Sequence, residues 1–461
     1  MAPKIHLLFV VLCFYVGVTH SKKATFKNVD VTLTCTKPLY KHNNEVVKIA
    51  NSNDLMENLN ERDPRTYDTI TISNQSLPVI YEGSLSNLYL ERLQIIYCDV
   101  QIIEPGVFKD AHKLDYLTIS ETHLHEIPLG VFNDLPIVTF YLDNNEINKI
   151  ESGAFGGMTK LKHIYLSINE METIKKGLFK DLPELKLIRV DENGLEKIEP
   201  GAFENLPKLK KLVLDNNKLR KIDDGVLENL PSLQTLFLQN NELDGINVNT
   251  FKTLDQLEVL WLQGNKLKEM KKGDIDNLKN LRELNLNDNE IRVLRPGFID
   301  GLTKLEEVDL SNNKLTVIPN GVFSKSSITD LKLGNNDIVT IEPGAFEGAH
   351  MFDLDLRGND LLEVTVGVFN SIFVNRLDLS DNKIEVIKDG AFDGSNFQFL
   401  HLDGNKIHQL RSGVFENVKV TVVSVKNTNL TDRDLVSLRD LSISFNFNSG
   451  TDSRQARSVI R

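Results

Sequence analysis

One pattern repeats sixteen times across residues 67–430, and three of its copies, starting at Leu209, Leu257 and Leu281, read LKKLVLDNNKL, LEVLWLQGNKL and LRELNLNDNEI. The first apolar position of the unit falls at Tyr67, Leu90, Leu114, Ile137 and onward to Val420, always in steps of 23 or 24 residues. A period this even leaves one architecture, a solenoid in which each unit buries its apolar side against its neighbours. The 461 residues therefore do not imply several separate cores, because such a chain grows by adding coils.

Each letter of the unit has a physical reason. In LKKLVLDNNKL, Leu209, Leu212, Leu214 and Leu219 point inward, while Lys211, Val213 and Asp215 alternate with them and face out. One short strand per unit predicts a parallel sheet. A position just after the strand is Asn in twelve consecutive copies from Asn145 to Asn405, where a buried amide can satisfy backbone groups left over by the turn. At the ends it becomes Gln75, Cys98, Thr122 and Thr428. The return half, as in IEPGAFENLPKL, brings Ile198, Phe203 and Leu206 back under the strand, and its Phe recurs in eleven copies including Phe108, Phe251, Phe346 and Phe415. These Phe residues are core rather than ligand positions. Leu227, Ile275 and Ile299 replace Phe in three copies, where looser packing is expected.

Written as LxxLxLxxNxLxxIxxxxFxxLxx, the unit resembles the leucine-rich repeat family in its longer extracellular form, over about four fifths of the chain. The resemblance implies an α/β solenoid, a horseshoe of about 16 repeats with a parallel β-sheet on its concave face, and binding without a specified ligand. The IEPGAF and IPNGVF phrasing is most similar to Toll-type receptor ectodomains, slit-like and chaoptin-like proteins, and soluble body-fluid members. Secreted members often close each end with a disulfide-bonded cap, yet once Cys13 leaves with a signal peptide only Cys35 and Cys98 remain. Two readings of these stay open. They pair and pin the N-terminal segment to the second repeat, or Cys98 stands in for the ladder Asn and Cys35 is buried separately.

The opening MAPKIHLLFVVLCFYVGVTHS, with a lysine, an apolar run over residues 7–18 and small residues Thr19 and Ser21, predicts a signal peptide over residues 1–21. Its run is shorter than the roughly 20 residues a membrane span needs, and no second run of that length follows. The organisation expected is signal 1–21, N-terminal cap 22–66, solenoid 67–430, and a C-terminal cap with a disordered tail over 431–461. Thr431-Asp432-Arg433-Asp434 followed by LVSLRDL predicts a short capped helix, and Arg454 and Arg457 have the spacing of a basic processing site. Secretion to the extracellular space is the expected route, which suits glycan acceptors at Asn74 and Asn429.

The outward strand positions owe nothing to folding and are the candidates for function. The central one runs Tyr141, Tyr165, Arg189, Val213, Phe237 and Trp261 through six consecutive repeats, a stripe of roughly 24 Å holding the only tryptophan of the chain. These are residue types that dominate interfaces, so the stripe is a candidate ligand-binding patch; mutual support of aromatics on neighbouring strands is the plainer explanation. Further on, Glu307, Asp309, Asp330, Asp353, Asp355 and Asp378 form an acidic stretch that could receive a basic partner or a cation, or could simply be the family's ordinary turn chemistry.

Catalysis finds no footing. His123 and His125 have no third ligand at metal-site spacing, and Ser311-Asn312-Asn313-Lys314 is the repeat's own turn. The excess of 65 acidic over 53 basic residues argues against nucleic acid as a partner, and no cofactor is implied. Three functions fit: a secreted recognition protein for an extracellular protein or microbial glycolipid, in innate immunity; a matrix or adhesion component that self-associates; and a venom or salivary effector that intercepts a host ligand.

Overall fold

The computed structural model describes residues 69–446 apart from residues 84, 87, 89, 432, 433, 435–437, 439 and 440, and before these the strands Val31–Thr34 and Asn44–Val46. The signal segment, Cys35, most of the predicted C-terminal helix and the basic tail site lie outside the described residues. The chain divides into two compact units, Met1–Leu233 and Gln234–Arg461.

In the first unit, strands Thr69–Ser73, Arg92–Ile96, Tyr116–Ser120, Thr139–Tyr141, His163–Tyr165, Leu187–Arg189 and Lys211–Val213 each pair in parallel with the next, one per repeat. Val31–Thr34 runs antiparallel to Thr69–Ser73 and to Asn44–Val46, so a hairpin covers the outer edge of the first repeat's strand. In the second unit a parallel series runs from Thr235–Phe237 through Val259–Trp261 and Glu283–Asn285 to Lys419–Ser424 and Ser444–Asn446. Most middle strands have three residues, whereas His350–Asp355, Phe373–Asp378 and Asn396–His401 have six.

The return half contains no α-helix among the described residues. It is made of turns, two-residue bridges such as Lys197–Ile198 with Thr173–Ile174, and one 3-10 turn, Ser412–Phe415. Phrases such as Pro200-Gly201 explain this, since proline removes a donor and Gly201 takes a φ of 81° that no helix contains.

Inside the coil the expected leucines are fully buried, Leu212, Leu214 and Leu219 at 0% exposure. The Phe residues stack from coil to coil, with centroids 5.9 Å apart for Phe155 and Phe179 and 5.7 Å for Phe323 and Phe346. Neighbouring strands lie only about 4.8 Å apart, so each coil is a wedge whose sheet side is the narrow one. One sequence expectation is corrected. In the repeat starting at Leu281 the spine residue is Phe298, fully buried and edge-on to Phe323 at 6.2 Å, while Ile299 is only half-buried. The return of that repeat holds its Phe one residue earlier than a fixed count places it. Leu227 and Ile275 do occupy the buried position.

The asparagines form a continuous hydrogen-bonded ladder within each unit. Asn289 is typical. Its Oδ1 accepts from Leu267 N of the preceding repeat at 3.0 Å, and its Nδ2 donates to Leu262 O at 3.0 Å, Leu286 O at 3.0 Å and Asn287 O at 3.2 Å. Cys98 occupies the same place: its buried Sγ faces Ile72 O at 3.8 Å and Ile96 O at 3.4 Å, matching the carbonyls that a ladder Asn takes. Burial pushes this thiol up from its ordinary pKa. One residue before the ladder the backbone turns left-handed, at Asn144, Asn216 and Asn312, but also at Ile168 with φ 55°. A β-branched side chain is strained there.

Two variants test this account. Asn289→Ala strands several buried backbone groups and is expected to lower unfolding free energy by roughly 2–4 kcal/mol in denaturant titration. Ile168→Asn relieves the left-handed turn and is expected to raise it by about 1 kcal/mol in the same assay.

Candidate functional site

The first unit presents Tyr141 and Tyr165 as a stacked pair, centroids 4.5 Å apart and planes at 14°, set by the parallel register of their strands. Arg189 follows on the next strand, but its fork is already engaged: Nε donates to Asp191 Oδ1 at 3.0 Å and Nη2 to Asp191 Oδ2 at 2.7 Å. Asp191 is 3% exposed and also accepts from Ser167 Oγ at 2.7 Å. Arg189 therefore fixes the carboxylates around it rather than offering a free cation. Its hydrogen bond to Asp191 raises its own pKa against the effect of burial. Val213 shares this face yet is 3% exposed, so it supports the surface from within.

Asp143 and Asp215 flank the arginine. Burial pushes the Asp143 carboxyl above its ordinary range, opposed by the backbone N–H of Ser167, which it accepts at 2.8 Å, and by the charge of Arg189. Asp215 is raised first by burial and then by the charge of Asp191. Tyr165 is also raised, by burial and by Tyr141.

Beside the tyrosines lies an open depression of about 400 Å³, lined by Arg92, Gln94, Tyr116, Thr118, Ser120 and Tyr141. The Arg92 guanidinium sits 4.0 Å from the centre of the Tyr116 ring, and Thr71 Oγ1 donates to Gln94 Oε1 at 2.9 Å. Sequence reading missed Arg92 and Tyr116 because it sought an aromatic stripe only along the central outward position. The signal was in the other outward row, two residues earlier on each strand, where Arg92 and Tyr116 stand in register.

In the second unit, Phe237 and Trp261 stack at 4.2 Å with planes at 13°. The Trp261 Nε1 donates to Glu283 Oε1 at 2.5 Å, locking the indole. The acidic stretch is largely consumed by the fold. Asp309, Asp355 and Asp378 each accept, through Oδ1, the backbone N–H two residues on, at 2.9, 3.0 and 3.0 Å, and so close the turn after their strands. Lys332 reaches Glu307 at 2.5 Å, Arg357 reaches Asp355 at 3.1 Å, and Arg376 lies 3.3 Å from Asp353 and 3.4 Å from Asp378. Asp330 lies in register between Glu307 and Asp353. Burial raises Asp353 and Asp355 from the usual aspartate value. It draws Lys332 down, but Glu307 and neighbouring carboxylates leave the amine raised overall. Among the described residues no group of three or more His, Cys, Asp or Glu has metal-holding geometry.

His123 and His125 both approach Glu146 of the next repeat, at 2.6 and 3.4 Å. Asn74 and Asn429 are exposed. No helix among the described residues is long and apolar enough to cross a membrane.

A family model described as Leucine rich repeat matches residues 137–195, 183–243, 231–291, 279–333, 303–361 and 353–407, an unbroken stretch of more than half the chain. Comparison with curated proteins finds no match. Among solved structures, Toll in the Toll–Spatzle complex of Drosophila is similar with a TM-score of 0.64 and 19% identity, over 83% of this chain and 51% of Toll. This chain thus spans about half of that protein. A leucine-rich repeat protein of Leptospira interrogans gives 0.55 and 22% over 78% of this chain and 91% of its own. The leucine-rich repeat domain of APL1B gives 0.50 and 21%, over 67% and 88%. At these identities the likeness concerns the fold.

The raised carboxyl of Asp143 has a definite sign. A folded value above the ordinary 3.8 means that this group favours the fold only while protonated, an advantage lost as pH rises through the raised value. Asp143→Asn is therefore expected to melt at a higher temperature than wild type at pH 7. The gain should shrink as pH falls through the raised value and vanish below 3.8. Melting curves at several pH values check this, and a gain independent of pH would contradict it.

Proposed function

Because the chain belongs to the leucine-rich repeat family, we propose that it is a secreted binding protein that takes an extracellular protein or a microbial ligand on the exposed face of its sheet, in innate immunity. One observation carries this reading. Two aromatic pairs, Tyr141 with Tyr165 and Phe237 with Trp261, stand stacked at sheet positions that the buried core does not use. Rings fixed in advance on a surface are the kind of group that anchors an interface. The likeness to Toll, whose solved complex is described as a hub in Drosophila development and innate immunity, supports the immune setting. The binding role requires no reaction, cofactor or metal.

Capture from the source organism's body fluid and on bacterial cell-wall preparations tests the reading. Wild type is compared with two double variants, Tyr141→Ser with Tyr165→Ser and Phe237→Ser with Trp261→Ser, after melting curves confirm that they fold. At least one double variant should lose affinity for the captured ligand by about thirtyfold or more. Equal capture by all three proteins would place binding elsewhere. The secretory route has its own test: protein secreted from animal cells should lose one glycan with Asn74→Gln and another with Asn429→Gln, read by mass. Absence of glycan at both sites would contradict it.

A further inference from the structure

One arginine of the sheet face has no counter-charge, and it stands at the rim of the depression in the first unit. Three arginines lie within the described sheet strands. Arg189 is forked onto Asp191, and Arg376 lies against Asp353 and Asp378. The Arg92 side chain makes no ion pair or hydrogen bond among the described residues; its guanidinium rests on the Tyr116 ring, 4.0 Å from the centre. An aromatic ring beneath a guanidinium orients the planar fork without using its N–H donors.

The surroundings of Arg92 favour an anion. Strands Thr69–Ser73, Arg92–Ile96, Tyr116–Ser120 and Thr139–Tyr141 carry no aspartate or glutamate, in a chain with 65 acidic against 53 basic residues. Asp143, two residues past Tyr141, is already taken by Ser167 N at 2.8 Å. The depression of about 400 Å³ has hydroxyl-bearing residues in its lining, Tyr116, Thr118, Ser120 and Tyr141, together with Gln94, whose Oε1 accepts from Thr71 and leaves the amide N–H groups to donate. These lining residues are half-buried and Arg92 is exposed, so a ligand in the depression reaches them from solvent. A neutral ligand would cover the guanidinium without pairing it, and a purely apolar one would strand the hydroxyls as well. The acidic side chain of a protein partner supplies a carboxylate but nothing for the rest of the lining. A polyhydroxylated ring that carries a carboxylate meets both demands.

We propose that the depression formed by Arg92, Gln94, Tyr116, Thr118, Ser120 and Tyr141 binds an acidic sugar, with the sugar carboxylate on the Arg92 fork and its ring hydroxyls on Gln94, Thr118 and Ser120. This rests on the reading that the sheet face takes a ligand, and it names the chemistry for the first unit.

Ligand-observed NMR titrations of the full-length protein test this with two acidic probes, trigalacturonic acid and a hyaluronan hexasaccharide. The same oligosaccharides with their carboxyl groups reduced to alcohols, hexaglutamate and inorganic phosphate are titrated in parallel. At least one acidic oligosaccharide should bind saturably with a Kd below about 1 mM, and its reduced form about tenfold more weakly or worse. Arg92→Ala should weaken binding by about tenfold or more, and Arg92→Lys, which keeps the charge and loses the fork, should restore only part of it. Thr118→Val and Ser120→Ala should each weaken it by about threefold. Unchanged melting temperatures confirm that the variants fold. Any of three results overturns the proposal: no saturable binding of either acidic oligosaccharide, equal affinity for the reduced forms, or affinity indifferent to Arg92→Ala. Equal or tighter binding of hexaglutamate or phosphate also overturns it, making the depression a site for an acidic peptide or a simple anion. If the acidic sugars fail while Tyr141→Ser with Tyr165→Ser still abolishes capture of a body-fluid ligand, the sheet face remains a binding face and the sugar assignment falls. If that capture survives both double variants as well, both fall.

Discussion

The asparagine ladder is the interaction on which the other features depend. A coil of 23 or 24 residues with three-residue strands and, among the described residues, no α-helix in its return leaves many backbone groups near the turn without a partner. In twelve consecutive coils one carboxamide resolves this by accepting from the preceding coil and donating both backward and within its own turn, as Asn289 does. Because the same side chain joins two coils, it holds the strand register, and the register in turn decides which outward side chains become neighbours. The stacked pairs, the Arg92–Tyr116 contact and the turn-closing aspartates all follow from that spacing.

What could be read in the sequence divides along the same line. Inward positions answer to a single demand, burial, and the repeat displays it sixteen times, so the leucines, the ladder and most of the Phe spine were legible. Phe298 escaped because counting assumed one fixed offset, whereas in this 24-residue repeat the large ring stands at the buried position that holds Ala202 in the repeat starting at Leu185. Outward positions answer to their neighbours on the next coil, about 23 residues away, and a line of text hides that adjacency. Glu146 between His123 and His125 was missed for this reason. Arg189, in the same stripe, has its fork turned onto Asp191 only two residues along, a pairing that the alternation of the strand does not announce. The acidic stretch had been offered a plainer explanation in the family's turn chemistry, and Asp309, Asp355 and Asp378 are indeed turn-closing groups.

The two units offer different surfaces from the same scaffold. In the first, a tyrosine pair borders an open depression with an arginine on an aromatic ring, and half-buried carboxylates are gathered around one guanidinium. In the second, an aromatic pair is rimmed by neutral amides, and beyond it the strands carry interleaved ion pairs such as Glu307 with Lys332. These ion pairs are at least partly exposed and contribute little to stability individually. Their effect is to leave the acidic stretch with less unpaired charge than its composition suggests.

The wedge of each coil has a consequence for recognition. Phe rings on the wide side are separated by 5.7 Å or more, as in Phe323 with Phe346, whereas the aromatic rings on the sheet side meet at 4.5 and 4.2 Å. Side chains crowded in this way have already surrendered most of their rotamer freedom during folding, when the buried core supplies the driving force. A ligand arriving at the sheet meets groups whose conformational entropy has been spent, and more of each contact is retained as affinity.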